Sequence, residues 1–183
     1  MQLESVIKKR RSIRKFKNKG IAPSVVKSIL GLARYSPSSM DGQPWHFIVV
    51  TDLKTKKRLA EIKNKYCPIK KRKYRADFIT KAPVIIVVTV DRKLSYERQI
   101  ENGVLACAHI MLAAQNKKLG TTYMSAYKTG EPRLAQEIRK LLAIPRKVDP
   151  INIIPLGYPD EKCAPKKIRR LERVVSYGNF AKR

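Results

Sequence analysis

The chain has 183 residues, enough for one well-filled core, and its 43% hydrophobic content argues against a globally disordered polypeptide. Its 41 Lys and Arg against 14 Asp and Glu give a formal charge of +27, a field that attracts nucleic acid, anionic membranes, acidic proteins and phosphorylated ligands. No uncharged apolar run approaches the ~18–20 residues of a bilayer span, and the first ten residues lack the apolar run of a secretory signal. One cytoplasmic domain over 1–183, without membrane association, is therefore expected. The three cysteines, Cys67, Cys107 and Cys163, are far apart, and with only His46 and His109 beside them no disulfide framework or tetrahedral zinc site can be assembled. No metal is expected.

In chain order, Leu3, Val6 and Ile7 give an i, i+3, i+4 apolar edge and predict a short helix ending in a basic turn. After it, Arg10, Ser12 and Arg14 alternate. In an extended segment they share one side, with Arg11, Ile13 and Lys15 on the other. Two guanidinium forks flanking a hydroxyl suit a phosphate or another compact anion; a solvated basic segment is the plainer alternative. A second helix is predicted from Pro23 to Arg34, with Val26, Ile29, Leu30 and Ala33 buried.

Residues Tyr35 to Pro44 then supply turn chemistry through Pro, Ser, Asp and Gly, feeding a strand from His46 to Thr51. A polar, bent loop entering a core strand can hold small hydrogen-bonding side chains at a pocket. Asp52 can cap a third helix, which shows Leu59, Ile62 and Tyr66 among lysines and stops at Cys67-Pro68. From Lys54 to Arg75 eleven basic residues face a single acid, Glu61, which suits either a nucleic-acid-binding face or a solvated helix surface. Residues Ile69 to Thr80 carry no clear period and are expected to be mobile.

Ala82 to Val90 is a β-branched run, expected as a central strand covered on both faces. Gly103 to Lys118 predicts a buried helix with Val104, Ala108, Met111 and Leu112 on one face; Cys107 is expected to pack as a small hydrophobe. Thr121 to Tyr127 predicts a strand and loop, and Pro132 to Ala143 a helix. Ile151 to Leu156 predicts a last strand placed at an edge or an end by Pro155. Helices and strands mix without strict alternation, so the fold class is α+β, a mostly antiparallel sheet wrapped by helices.

Six separated segments resemble the FMN-dependent nitroreductase family across Leu3 to Phe180. They are Arg-Arg-Ser-x-Arg-x-Phe at Arg10 to Phe16, Pro-Ser-x-x-Asn-x-Gln-Pro-Trp-x-Phe at Pro37 to Phe47 with Asp41 in place of the Asn, and Ala82-Pro83. Leu119-Gly120, Leu141 to Pro145 and Leu156 to Pro159 complete the set. The resemblance implies a nitroreductase-like fold, an intertwined homodimer with Gly103–Lys118 at its interface, and FMN held between chains. It assigns Arg10, Arg11, Ser12 and Arg14 to the phosphate and ribityl chain, with Lys167 or Arg169 of the tail completing the phosphate site, Arg169 preferred. Pro37, Ser38, Ser39 and Asp41 would reach the flavin from the partner. Ser125 and Ala126 fall where the family sets a backbone N–H against flavin N5. Asp at 41 can accept but not donate, which bears on substrate range and redox tuning. The implied activity is ping-pong hydride transfer from NADH or NADPH to nitroaromatic, quinone or similar small-molecule acceptors. Two alternatives follow from the charge: reduction by an acidic electron-carrier protein, or a nucleic-acid-binding protein that has kept the fold.

Overall fold

The computed structural model describes residues 2–67 and 75–180. Its elements, in chain order, are α1 (Leu3–Lys9), α2 (Pro23–Ala33), β1 (Trp45–Val50), α3 (Leu53–Lys65), β2 (Val84–Asp91), α4 (Gln99–Asn116), β3 (Gly120–Thr121), β4 (Met124–Ser125), α5 (Arg133–Leu141) and β5 (Val148–Gly157). Five strands form one sheet in the order β1-β2-β5, with β3 and β4 both paired to the far side of β5, and every ladder is antiparallel.

The alternation of β2 divides the core in two. Val84, Ile86 and Val88 face a layer containing α2 and α4, together with Ile154 and Leu156 of β5. Ile85 and Val87 face the opposite layer with Leu59 and Ile62 of α3, Leu134 and Ile138 of α5, and Ile153. A strand with fully buried side chains on both faces must be central, and β2 lies between β1 and β5.

Several expectations need correction. β5 is interior, not an edge. Its outer neighbour is broken where Pro155 withholds a donor: β3 pairs with Leu156 and Gly157, β4 pairs with Asn152 and Ile153, and Thr122–Tyr123 lie unpaired opposite the gap. The single strand expected over Thr121–Tyr127 is accordingly two short pieces. A register shift skips Ile151, between the Val88–Asn152 and Thr89–Pro150 pairs, and releases its carbonyl to accept from the Ala126 N–H at 2.8 Å.

Helix α4 begins at Gln99, four residues before expected. Gly103 lies inside it because Ile151 occupies the space, with side-chain atoms 2.6–2.9 Å from where a Cβ would sit. Its buried stripe is Ala106, Cys107, Ile110, Ala113 and Ala114, whereas Val104, Ala108 and Leu112 are only half-buried and Leu105 is exposed. Of the expected mobile stretch, residues 69–74 lie outside the described residues. Asp77–Lys81 forms a 3-10 turn with Ile79 fully buried. Among the described residues no helix is long and apolar enough to cross a membrane.

Candidate functional site

Helix α1 ends at Lys9, and Arg11 folds back over its C-terminus, donating to the carbonyls of Lys8 at 2.7 Å and Arg10 at 2.9 Å. That is the favourable place for a cation on a helix. It also takes Arg11 away from Arg10 and Arg14, into a cavity of about 370 Å³ shared with Ile13 and Gln115. Beyond it the chain is extended and fastened on both sides. Ser12 forms a parallel bridge with Thr121, the Ile13 N–H donates to the Thr121 carbonyl at 2.9 Å, and the Thr122 hydroxyl donates to the Ile13 carbonyl. Phe16 bridges Pro159, and the Glu161 carboxylate accepts from the backbone N–H groups of Arg14 and Lys15. Ile13 and Phe16 are buried against Ala82. The approach is close enough to require glycine, since a Cβ on Gly120 would meet the Ile13 side chain at 2.6–2.9 Å.

The result is a rigid ribbon from which Arg10, Ser12 and Arg14 project. Neither guanidinium has a hydrogen-bond or ion-pair partner among the described residues. Partnerless arginines on an immobilised backbone form an anion receptor in waiting.

The second candidate element, the loop from Ser36 to Pro44, is held in an unusual shape. Met40 (φ 51°), Asp41 (φ 51°) and Gln43 (φ 43°) all adopt left-handed backbone, costing about 1–2 kcal/mol per residue. Gly42 is obligatory, because a Cβ there would lie 2.0 Å from the Leu94 carbonyl oxygen. The restraining bonds are specific. The Ser38 hydroxyl accepts from the Gln43 N–H at 3.0 Å, and the Ser39 N–H donates to Asn102 Oδ1 at 3.0 Å. Asn102 is buried in α4, and its amide also donates to the Ser95 carbonyl at 3.2 Å. Pro37 and Asp41 are exposed, Ser38 and Ser39 half-buried, and the Asp41 carboxylate accepts from the Gln43 amide at 3.1 Å. Sequence reasoning missed Asn102, which carried no signal beyond being a polar residue beside Gly103.

Within one chain these two elements are far apart. The loop is tied to α4 at Asn102, whereas the ribbon lies by Gln115, thirteen residues along the same helix and about 20 Å away at 1.5 Å per residue.

Ser125 and Ala126 follow Thr122, which fastens the ribbon, by three and four residues, but Ala126 is fully buried and its N–H is committed to Ile151. In this structure it has no free donor to offer a flavin. The Ser125 carbonyl accepts from Lys63 Nζ at 2.5 Å. Lys56, missed from sequence, is 7% exposed and donates to the Ala82 carbonyl at 2.8 Å beneath the ribbon, with burial lowering its pKa. The signal was present: Lys56 and Lys63 fall on the i, i+3, i+4, i+7 stripe with Leu59 and Ala60. Lys167 and Arg169 are not brought to the ribbon within the chain. Every residue from Lys162 to Phe180 is exposed, and among the described residues Arg169 bonds only to the Arg173 carbonyl.

A fold of this kind, with an anion-receptive ribbon against its sheet, defines a class. The chain belongs to the nitroreductase family, whose model matches residues 7–158. It is 32% identical over 95% of its length to a protein of Methanothermobacter thermautotrophicus named "Putative NADH dehydrogenase/NAD(P)H nitroreductase", covering 86% of that protein. It is also 30% identical to an iodotyrosine deiodinase of Thermotoga neapolitana, covering 97% of this chain and 98% of that one. An FMN-dependent nitroreductase from Clostridium difficile superposes with a TM-score of 0.82 at 29% identity, covering 97% and 99% of the two chains.

Proposed function

We propose that this protein is an FMN-dependent oxidoreductase that takes reducing equivalents from NADH or NADPH and delivers them to a small oxidised aromatic acceptor. The observation that carries the reading is the pair of partnerless guanidiniums flanking Ser12 on a ribbon fixed by β3. Its donor set matches a phosphate monoester, as the family requires. The chemistry FMN supplies when bound is two-electron exchange at N5, alternating between nicotinamide and acceptor. Arg10, Ser12 and Arg14 hold the phosphate end. Lys56, a buried cation with no ion pair among the described residues, adds positive potential beneath the ribbon, which favours an anionic ligand over its neutral form.

The site is proposed to be shared in a homodimer. Ribbon and loop are separated by most of α4, so one ring is bracketed only if the loop Pro37–Asp41 comes from a second copy. The apolar residues left uncovered fit this: Leu3 and Ile7 on α1, and Ile100 and Leu105 on α4. Beside the edge strand β1 an apolar groove of about 630 Å³, lined by Ile21, Val26, Leu30, Phe47 and Val49, would seat the partner's tail with its exposed Ile168, Leu171 and Val174. That tail would bring Lys167 and Arg169 to the phosphate in trans.

The test is direct. Purified protein should be yellow, the double variant Arg10→Ala, Arg14→Ala should lose flavin while remaining folded, and anaerobic NADH or NADPH should bleach the wild type. An acceptor screen should include nitroaromatics, quinones and an iodinated phenol, since the relatives carry names of two activities. Folded protein indifferent to FMN would refute the reading. Bleaching by a reduced acidic electron carrier but by neither nicotinamide would replace the donor and leave the flavin site standing.

A further inference from the structure

A cavity of about 520 Å³ lies between the C-terminal end of α3 and the β3–β4 link. Its walls include Tyr66, Tyr123, Met124 and Tyr127, and the cations Lys63 and Lys128, with no carboxylate among the described lining residues. Of the nearby acids, Asp77 is engaged by Arg75 and Asn64 and Glu137 by Lys65 and Tyr66, while the exposed Glu101 acts on Tyr127 from outside the lining. Lys63 belongs to the buried stripe of α3 and spends one of its three donors on the Ser125 carbonyl. Burial lowers its pKa, the mark of a desolvated ammonium, and the Cys67 thiol in the same cavity wall opposes that shift only in part. A bare inorganic anion would leave the aromatic walls unused. A neutral aromatic would leave the ammonium uncompensated.

We infer that this cavity is the acceptor pocket and that it selects a planar aromatic carboxylate, with Lys63 receiving the carboxylate and the tyrosines flanking the ring. The inference rests on the oxidoreductase reading above and sharpens its substrate class. Lys128, exposed at the rim, adds attraction during approach rather than a fixed contact. Lys63 places its charge on the Ser125 carbonyl of β4, three residues beyond the Thr122 that fastens the ribbon, so the ligand's ring would lie beside the Thr122–Tyr123 link that joins the cavity to the ribbon.

The experiment compares two acceptors that differ in charge and little else, 4-nitrobenzoate and 4-nitrobenzamide, on the FMN-loaded protein. The expected ratio of kcat/KM favours the carboxylate on the order of 10- to 100-fold, the size of one charge-assisted hydrogen bond. In Lys63→Gln the ratio should fall toward one, and in Lys63→Arg it should be largely retained. Because the ratio is taken within each variant, a general loss of stability or flavin cancels. A wild-type ratio near one, or one unchanged by Lys63→Gln, overturns the inference; the wild-type value decides alone if the variant does not fold. Calorimetric titration with benzoate and benzamide, which are not reduced, separates the two levels. A benzoate preference with neither nitro compound reduced sinks the enzymatic reading and keeps the pocket. Reduction of both without a benzoate preference sinks the pocket alone.

Discussion

Asn102 is the residue whose removal tests the arrangement of the loop most sharply. It is 1% exposed, so in Asn102→Ala no water replaces the acceptor lost to the Ser39 N–H or the donor lost to the Ser95 carbonyl. A buried group left unsatisfied costs about 1–3 kcal/mol. Part of that is recovered if the loop relaxes its left-handed residues Met40, Asp41 and Gln43, each strained by about 1–2 kcal/mol. The expected net loss is therefore about 2 kcal/mol, a fall in Tm of roughly 4–8 °C for a chain of this size. The relaxed loop must be re-strained to reach the cofactor, and each ~1.4 kcal/mol of that cost weakens FMN binding tenfold. Thermal denaturation of the apoprotein and a flavin fluorescence titration measure the two effects separately. Cys107→Ala, on the same buried face of α4 but outside the loop's bonds, should lower Tm and leave FMN affinity alone. If Asn102→Ala lowers stability with the FMN Kd unchanged, the loop is not held for the cofactor and the reasoning fails.

Gly120→Ala should destabilise by about 1–3 kcal/mol through overpacking on Ile13, and Ile13→Ala in the same chain should recover part of it; strictly additive costs in a urea double-mutant cycle would contradict the contact. Removal of residues 163–183 should give a monomer by light scattering and abolish FMN retention, whereas a truncated dimer that keeps its flavin would refute the role given to the tail. The folded pKa of Lys63 is lowered below its unfolded value of 10.5, so between the two values the unfolded chain binds the extra proton and stability rises with pH. Wild type should thus gain stability relative to Lys63→Met as pH rises through that window, while its preference for 4-nitrobenzoate declines. A preference that holds up to pH 10.5 would remove Lys63 from carboxylate recognition.

What could be read from the residues was what depends on local pattern. The β-branched run Val84–Val90 announced a central strand, and the beat of Arg10, Ser12 and Arg14 announced a segment with one free side. What could not be read depends on neighbours distant in sequence. Gly103 looks like a helix start until Ile151 is seen filling the space of its missing side chain. Pro155 looks like an edge marker until the break between β3 and β4 is found opposite it. Arg11 is indistinguishable from Arg10 in composition, and only the position of the α1 carbonyls turns it away from the ribbon. Lys56 and Lys63 were hidden by abundance, because one buried and one half-buried lysine do not stand out among eleven basic residues.

Asp41 is the point at which the charge of the whole molecule and the chemistry of the loop meet. A net charge of +27 raises the affinity of every anion-binding surface on the protein, including wrong ones. One carboxylate presented at an exposed, rigid loop opposes that field locally and can accept hydrogen bonds but donate none. The Gln43 amide already donates to one of its oxygens, which fixes the carboxylate's orientation and leaves lone pairs for a ring N–H on the ligand. Lys56 beneath the ribbon and Lys63 on the cavity wall would act in the opposite sense from the sheet side. A flavin held between these poles would be contacted by an acceptor-only group from one chain and by positive potential from the other. Exchanging Asp41 for Asn, which restores a donor and removes a charge, should therefore shift the bound flavin's reduction potential upward while leaving phosphate-end affinity with Arg10 and Arg14.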